Sequence, residues 1–298
     1  MKEKIKIMLS LLMFLFLFPY IVTVFLQGTP VAGESVDEAA TETAVTVSDS
    51  TEEERERLIA ILAKEISVDS EPEAIRAQAV IVRAGYAYAQ ATGKEPEEGL
   101  SVQEMMAAFG EKNFASDYQI LADAVDDTAD ISVSYGGDTV LLLPYHAVSA
   151  GKTRVAAELP WLVSVDSTMD YPSPNYLKVI YFEKTEFLAQ LEQIFPGVTF
   201  TEEDIPSQIS IDGRDDGGYV SSVTAGGITV SGDEMRERLG LASPCFTIAE
   251  ADGKVRIVTK GLGHGYGLSQ WGANELAKDG KDCIQILKYY FPNIEITE

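Results

Sequence analysis

The stretch RERLIAILAKEISVDSEPEAIRAQAVIVRAGYAYAQATG, Arg55 to Gly93, reads as two helices joined by a short loop. Upstream of it, Ser50-Thr51-Glu52-Glu53 fits a capping box, with Ser50 as N-cap and Glu53 three residues on. At 100° per residue, Leu58, Ile61 and Leu62 form one apolar face, with Ile59 and Ile66 on its shoulder. Glu65 falls inside that apolar arc and in the last turn, where the helix dipole disfavours negative charge. Burial and dipole both favour a protonated carboxyl, the state a general acid needs. A frayed helix end that carries Glu65 out to water fits the same pattern.

The second helix has Pro72 at N1 and Gly93 at C′. Between them AIRAQAVIVRAGYAYAQA is small or apolar almost all round, which predicts a buried helix in close contact with its neighbours. Arg76 and Arg83 lie two turns apart on one face. Guanidiniums there need ion-pair partners or a ligand-lined cavity. Gln78 points elsewhere, towards a cleft or a backbone partner.

Outward towards the N-terminus, Lys2, Lys4 and Lys6 precede an uncharged run from Ile7 to Leu26. As a helix it spans about 30 Å, a bilayer's hydrocarbon thickness. With no small-residue cleavage site after it, the run reads as a retained anchor. The lysines keep residues 1–6 cytoplasmic, residues 7–26 cross the cell membrane once, and the rest lies outside the cytoplasm. From Gln27 to Glu54 there are eight acids and no bases. Residues 27–50 therefore read as an acidic, disordered tether to a folded domain over residues 51–298.

The whole chain of 298 residues carries 47 acidic and 23 basic side chains, a net charge of −24. That excludes a sequence-independent grip on nucleic acid phosphates. Its only cysteines are Cys245 and Cys283, which either pair or stay as two buried thiols. With His146 and His264 they show no zinc-site spacing, so neither metal nor other cofactor is expected.

Outward towards the C-terminus, ISVSYGGDTVLLLPYH and WLVSVD read as strands, with a hairpin turn at Gly136-Gly137. His146 leads into the small-residue loop AVSAGKT, which holds Ser149 and Thr153. A Ser149–His146 nucleophile pair lacks the G-x-S-x-G elbow. Residues 171–228 hold a helix near Lys184 to Phe195 and Gly-rich strands, the pattern of a second lobe or an insertion. GLGHGYGLSQWG, Gly261 to Gly272, fits neither the G-x-G-x-x-G fingerprint nor a Walker loop. It reads as a strand and tight turn running into a helix that ends at Gly280. Alternate glycines there leave one strand face bare for a close neighbour or a flat ligand. The fold class is α+β: a helical pair and antiparallel strands flank a groove.

AKEISVDSEPEAIRAQAVIVRAGYAYA, AVDDT, YHAVSAGKT, SGDEMRERLGL and GLGHGYGLSQWGANELAKDGKDCIQILKYYFPNIEI together resemble the stage II sporulation protein D family, which cuts peptidoglycan glycan strands as lytic transglycosylases. The resemblance runs from about Leu58 to Ile296 and makes Glu65 the catalytic acid. It implies a glycan groove lined by Arg76, Gln78, Arg83, His146, Ser149, Thr153, His264, Ser269 and Gln270. Arg76 replaces a more common lysine, Ala150 a glycine and Leu262 a tryptophan, and the middle loop lacks the cysteines that accompany zinc in some members. One acid suffices in such chemistry, because the sugar's own 6-hydroxyl is the nucleophile and leaves a 1,6-anhydro end. The resemblance also implies peptide-stripped glycan as substrate, and a partner amidase and membrane scaffold during engulfment. A non-catalytic wall-binding module that stimulates an amidase is the alternative.

Overall fold

A computed structural model describes residues 38–298, with side chains from Thr51 onward. The anchor predicted at 7–26 and the tether up to residue 37 lie outside the described residues. Among the described residues, no helix is long and apolar enough to cross a membrane. Residues Glu52–Glu298 form one compact unit.

Helix α1 spans Glu38–Glu65, so Ser50 lies inside a helix and does not cap one. The physical reason is that Glu38–Ser50 contains no glycine or proline to stop a helix. α2, Pro72–Thr92, starts and stops as its sequence predicts. Gly93 closes it at φ +68, and its N–H reaches the Gln90 carbonyl. Short helices α3 (Val102–Phe109) and α4 (Phe114–Asp127) follow.

α2 is buried on two sides, which explains why it is apolar almost all round. One side shares a core with α1 and α4 through Ile75, Ala79, Val82, Leu62 and Leu121. The other packs Ala77, Val80 and Ile81 against Leu143, Leu268, Ile286 and Tyr290. Leu143 comes from the run before Tyr145, Leu268 from the segment leading into the C-terminal helix α7 (Gln270–Lys278), and Ile286 and Tyr290 from α8 (Cys283–Tyr290).

The strands are shorter than their apolar runs suggest. β1, Ser132–Ser134, pairs antiparallel with the terminal β10, Glu295–Thr297. The hairpin turn at Gly136-Gly137 is present, with Tyr135 and Asp138 exchanging backbone hydrogen bonds at 2.9 and 3.0 Å. Of the run DTVLLLPYH, only β2, Tyr145–His146, joins a sheet, in parallel with β9, Leu268–Ser269. WLVSVD forms no strand and makes one bridge, Lys152 to Asp166. Its burial comes from side chains, with Leu162 in the α2–α8 core and the Trp161 ring packed against it.

A third core runs from Phe187 to Ile257. It joins α5 (Lys184–Ile194), α6 (Gly232–Leu239) and two antiparallel sheets. One sheet is β4 (Ser210–Arg214), β5 (Val220–Ala225) and β6 (Ile228–Val230). The other has the order β3 (Leu177–Phe182), β8 (Lys254–Lys260) and β7 (Phe246–Ala251). The fold is α+β.

Candidate active site

Glu65 is the last residue of α1, where backbone carbonyls lack intrahelical partners. The Gln270 side chain supplies one, donating through Nε2 to the Glu65 carbonyl at 2.7 Å. The same amide lies 3.4 Å from Gln78 Oε1. The first turn of α7 therefore fixes the end of α1 and, with it, the base of the Glu65 side chain.

The half-buried carboxyl of Glu65 lines a cleft of about 480 Å³ whose walls include Tyr86, Tyr88, Lys94, Glu97, Tyr145 and His264. Glu65 also borders a second, more polar cleft with Ser67, Asp69, Asn113 and Asp117. It thus stands where two depressions meet. The Tyr145 hydroxyl donates to Glu97 at 3.4 Å, and Tyr145 lines the same cleft as Glu65. Burial, then the neighbouring Glu65 and Glu97 carboxyls, push the Tyr145 pKa well up, so the phenol stays protonated. Lys94 lies over the Tyr88 ring, 5.4 Å from its centroid.

His264 is in the cleft wall as a brace. Its Nδ1 accepts the Tyr266 N–H at 3.0 Å. With Nδ1 accepting, the neutral ring carries its proton on Nε2. Burial, followed by the charges of Arg236 and Arg154, lowers its pKa and keeps it neutral. Of the predicted groove residues, His264 is the one that shares the wall of this cleft with Glu65.

The four alternate glycines of Gly261–Gly267 form no bare strand face. All have positive φ, and each turns its missing side chain against the protein itself. A Cβ at Gly267 would collide with the Pro144 carbonyl oxygen, and one at Gly263 would stand 2.8 Å from His146 Cβ. The loop's backbone packs closely on Pro144–Ala150 and on Tyr219, so of the two expectations the close neighbour holds at these four glycines.

Several predicted groove residues prove to hold the fold. Arg76 pairs with Glu73 and with Asp127 at 2.6 Å on the surface. Arg83 donates to the Thr128 and Val125 carbonyls and so closes the C-terminal end of α4. The buried Thr153 hydroxyl accepts from the Val165 N–H at 3.0 Å. Ser149 and Ser269 are fully buried around Asp170. Asp170 accepts from the Ser149 N–H at 2.9 Å, the Ser269 hydroxyl at 2.9 Å and the Ser167 hydroxyl at 3.0 Å. Burial raises the Asp170 pKa against those bonds, which lower it. None of these residues lines the cleft beside Glu65. Each has polar groups that bond to protein.

His146 and Gln78 lie beneath the site. The His146 Nδ1–H donates to the Tyr266 carbonyl at 3.0 Å. Burial, then the neighbouring His264, lowers its pKa to about 3. The Nε2 atoms of His146 and Gln78 have no hydrogen-bond partner among the described residues.

The sequence reading missed Asp170, Tyr145, Glu97 and Arg154. The buried Arg154 donates to Asp215, Asp233 and the His264 carbonyl, at 3.1, 2.9 and 3.1 Å. It stacks 4.3 Å from the Tyr266 ring centroid. An arginine directly after AVSAGKT was the one signal available for it. Cys245 and Cys283 are both buried and free.

A family model described as Stage II sporulation protein matches residues 40–135. Stage II sporulation protein D of Bacillus amyloliquefaciens is 31% identical over 261 residues, which cover 82% of this chain and 74% of that protein. The chain belongs to the stage II sporulation protein D family. The family's protein from Bacillus subtilis (strain 168) is 29% identical over the same coverage. The chain is also similar to an amidase enhancer of Bacillus subtilis (strain 168), 37% identical over 73 residues, or 24% of this chain and 10% of that protein.

Proposed function

We propose that this member of the stage II sporulation protein D family is a membrane-anchored lytic transglycosylase of peptidoglycan, acting during sporulation with Glu65 as its acid and base. The observation that supports this most is the place of Glu65: a braced carboxyl where an aromatic-walled cleft meets a polar one. A glycan strand crossing both would present its linkage to that carboxyl, and tyrosine walls suit sugar rings. The Glu65 acid O–H gives its proton to the glycosidic oxygen as the bond from MurNAc C1 breaks. The 6-hydroxyl of the same sugar then attacks C1, and Glu65 takes its proton, which restores the acid and leaves a 1,6-anhydro end. No second carboxylate is needed as nucleophile or as base for water.

The test is to incubate the purified full-length chain with glycan strands, with and without stem peptides, and to examine the products by mass spectrometry. Anhydro ends are expected from wild type and not from Glu65→Gln. Anhydro ends formed equally by both would overturn the assignment.

A second reading is favoured by the likeness to an amidase enhancer: a wall-binding module that stimulates a partner amidase. It predicts amidase stimulation that survives Glu65→Gln, and no anhydro product from either form.

A further inference from the structure

A separate pocket of about 330 Å³ borders the start of the glycine-rich loop, where Leu262 lines it. Three elements build the rest. Arg236 comes from α6, with Leu241 just beyond the helix end. Lys178 and Ile180 stand two residues apart on one face of β3, and Thr259 is the partner of Lys178 on β8. None of the groove residues expected from the sequence lines this pocket.

Its charge is unbalanced. Two cations, Lys178 and Arg236, line it and no acid does, in a chain of net charge −24. The acids nearest in sequence on α6 are engaged elsewhere, Asp233 with Arg154 and Glu234 with Arg238. Neither the Lys178 nor the Arg236 side chain has a hydrogen bond or ion pair with another described residue. The Arg236 Nε is buried and has no hydrogen-bond partner. A buried donor on a cation is costly until an acceptor reaches it. The fully buried Thr259 hydroxyl meets only the Lys178 carbonyl, at a long 3.5 Å, and is a further donor. Ile180, Leu241 and Leu262 supply apolar wall around these groups. Cationic donors within apolar walls suit a carboxylate carried on carbon better than a bare inorganic ion.

We infer that the Arg236–Lys178 pocket binds a carboxylate of the wall strand while Glu65 acts on the strand's linkage. The inference rests on the reading of peptidoglycan as the substrate. A guanidinium takes a carboxylate through two parallel N–H bonds, one of them from Nε, and Lys178 adds a second positive charge. The glycine-rich loop joins the two places: Leu262 lines the pocket and His264 the Glu65 cleft. Two residues of chain span at most about 7 Å. Peptidoglycan has carboxyls of two kinds, the lactyl carboxyl of MurNAc, free where the stem peptide is gone, and those of the stem peptide itself. To a guanidinium they are the same anion. A glycan of N-acetylglucosamine alone has neither, so the pocket selects wall strands over chitin.

The experiment measures strand affinity with the full chain carrying Glu65→Gln, to keep cleavage out of the measurement. Strands are offered stripped or with stem peptides, each before and after amidation of its carboxyls, beside chitin oligomers. Adding Arg236→Gln is expected to weaken binding of carboxyl-bearing strands by about tenfold or more. It should also abolish the difference between native and amidated strands and leave chitin affinity in place. Lys178→Gln alters an exposed side chain. Its smaller loss on the same strands keeps the test open if Arg236→Gln fails to fold. A loss on stripped strands names the lactyl carboxyl as the ligand, and a loss confined to peptide-bearing strands names the stem peptide. The second readout is the 1H–15N resonance of Arg236 Nε, assigned by its disappearance in Arg236→Gln. It is expected to shift with carboxyl-bearing strands and to stay in place with amidated strands and chitin. Equal affinity for native and amidated strands, with an unmoved Nε resonance, would overturn the pocket and leave the transglycosylase reading intact. Carboxyl-dependent binding by a chain whose Glu65 form makes no anhydro ends would retain the pocket and overturn that reading.

Discussion

The surroundings of Glu65 and of Asp170 contain similar kinds of side chain arranged to opposite ends. Around Asp170, Ser149, Ser167 and Ser269 surround a fully buried carboxyl, each giving it a hydrogen bond. Around Glu65, the carboxyl faces a cleft that a half-buried tyrosine shares, and the Gln270 amide holds its main chain. The first arrangement closes a structure and the second presents a reactive group. Neither serine nor histidine identifies the site here. A polar atom is available for chemistry only if the fold has not already engaged it.

Four substitutions sharpen that contrast, starting with the largest expected effect. Glu65→Gln keeps the shape and removes the exchangeable proton. Activity should fall by about 10²- to 10⁴-fold, with melting temperature nearly unchanged, which thermal unfolding and product analysis together check. Asp170→Asn does the reverse. Its amide sets an N–H₂ against groups that donate to the native carboxyl, which leaves buried donors unpaired. A loss of about 2–3 kcal/mol is expected from denaturant unfolding, and activity per folded molecule should change far less.

His146 gives the pH test. Its folded pKa of about 3 lies below the ordinary 6.5, so the unfolded chain binds the proton more tightly. The stability this group contributes is whole above pH 6.5 and is lost progressively as pH falls towards 3. Replacement by asparagine, which keeps a donor for the Tyr266 carbonyl, should flatten the melting temperature's dependence on pH across that window. Asp170 acts with the opposite sign: its raised pKa favours the folded state at low pH, and that contribution fades as pH rises through the folded value. Arg76→Ala should have the smallest effect. Its ion pairs are partly exposed, so the cost is at most about 1 kcal/mol, and the rate of strand cleavage should not change.

Local periodicity was enough to find the helical pair, and a single wheel marked Glu65 as a charge in an apolar arc. Pro72 and Gly93 fixed the ends of α2 because their backbone preferences are local. The strands were overread, since an apolar run such as VLLLP buries side chains without pairing its backbone. The glycines of Gly261–Gly267 announced a close approach but not its partner. What was illegible is what long-range folding assembles. Gln270 meets Glu65 across 205 residues, and Ser269 meets Asp170 across 99. Tyr145 and Glu97 carried no pattern at all, because a tyrosine after an apolar run and a glutamate in a loop are ordinary until the fold brings them together.

The most direct measurement is the rate of 1,6-anhydro-end formation by Glu65→Gln against wild type, on peptide-stripped strands, at matched folded concentration. If the cleft is the catalytic site, the variant binds strands and melts as wild type does, yet forms anhydro ends at least about a hundredfold more slowly. Equal rates from the two forms would contradict the account at its centre.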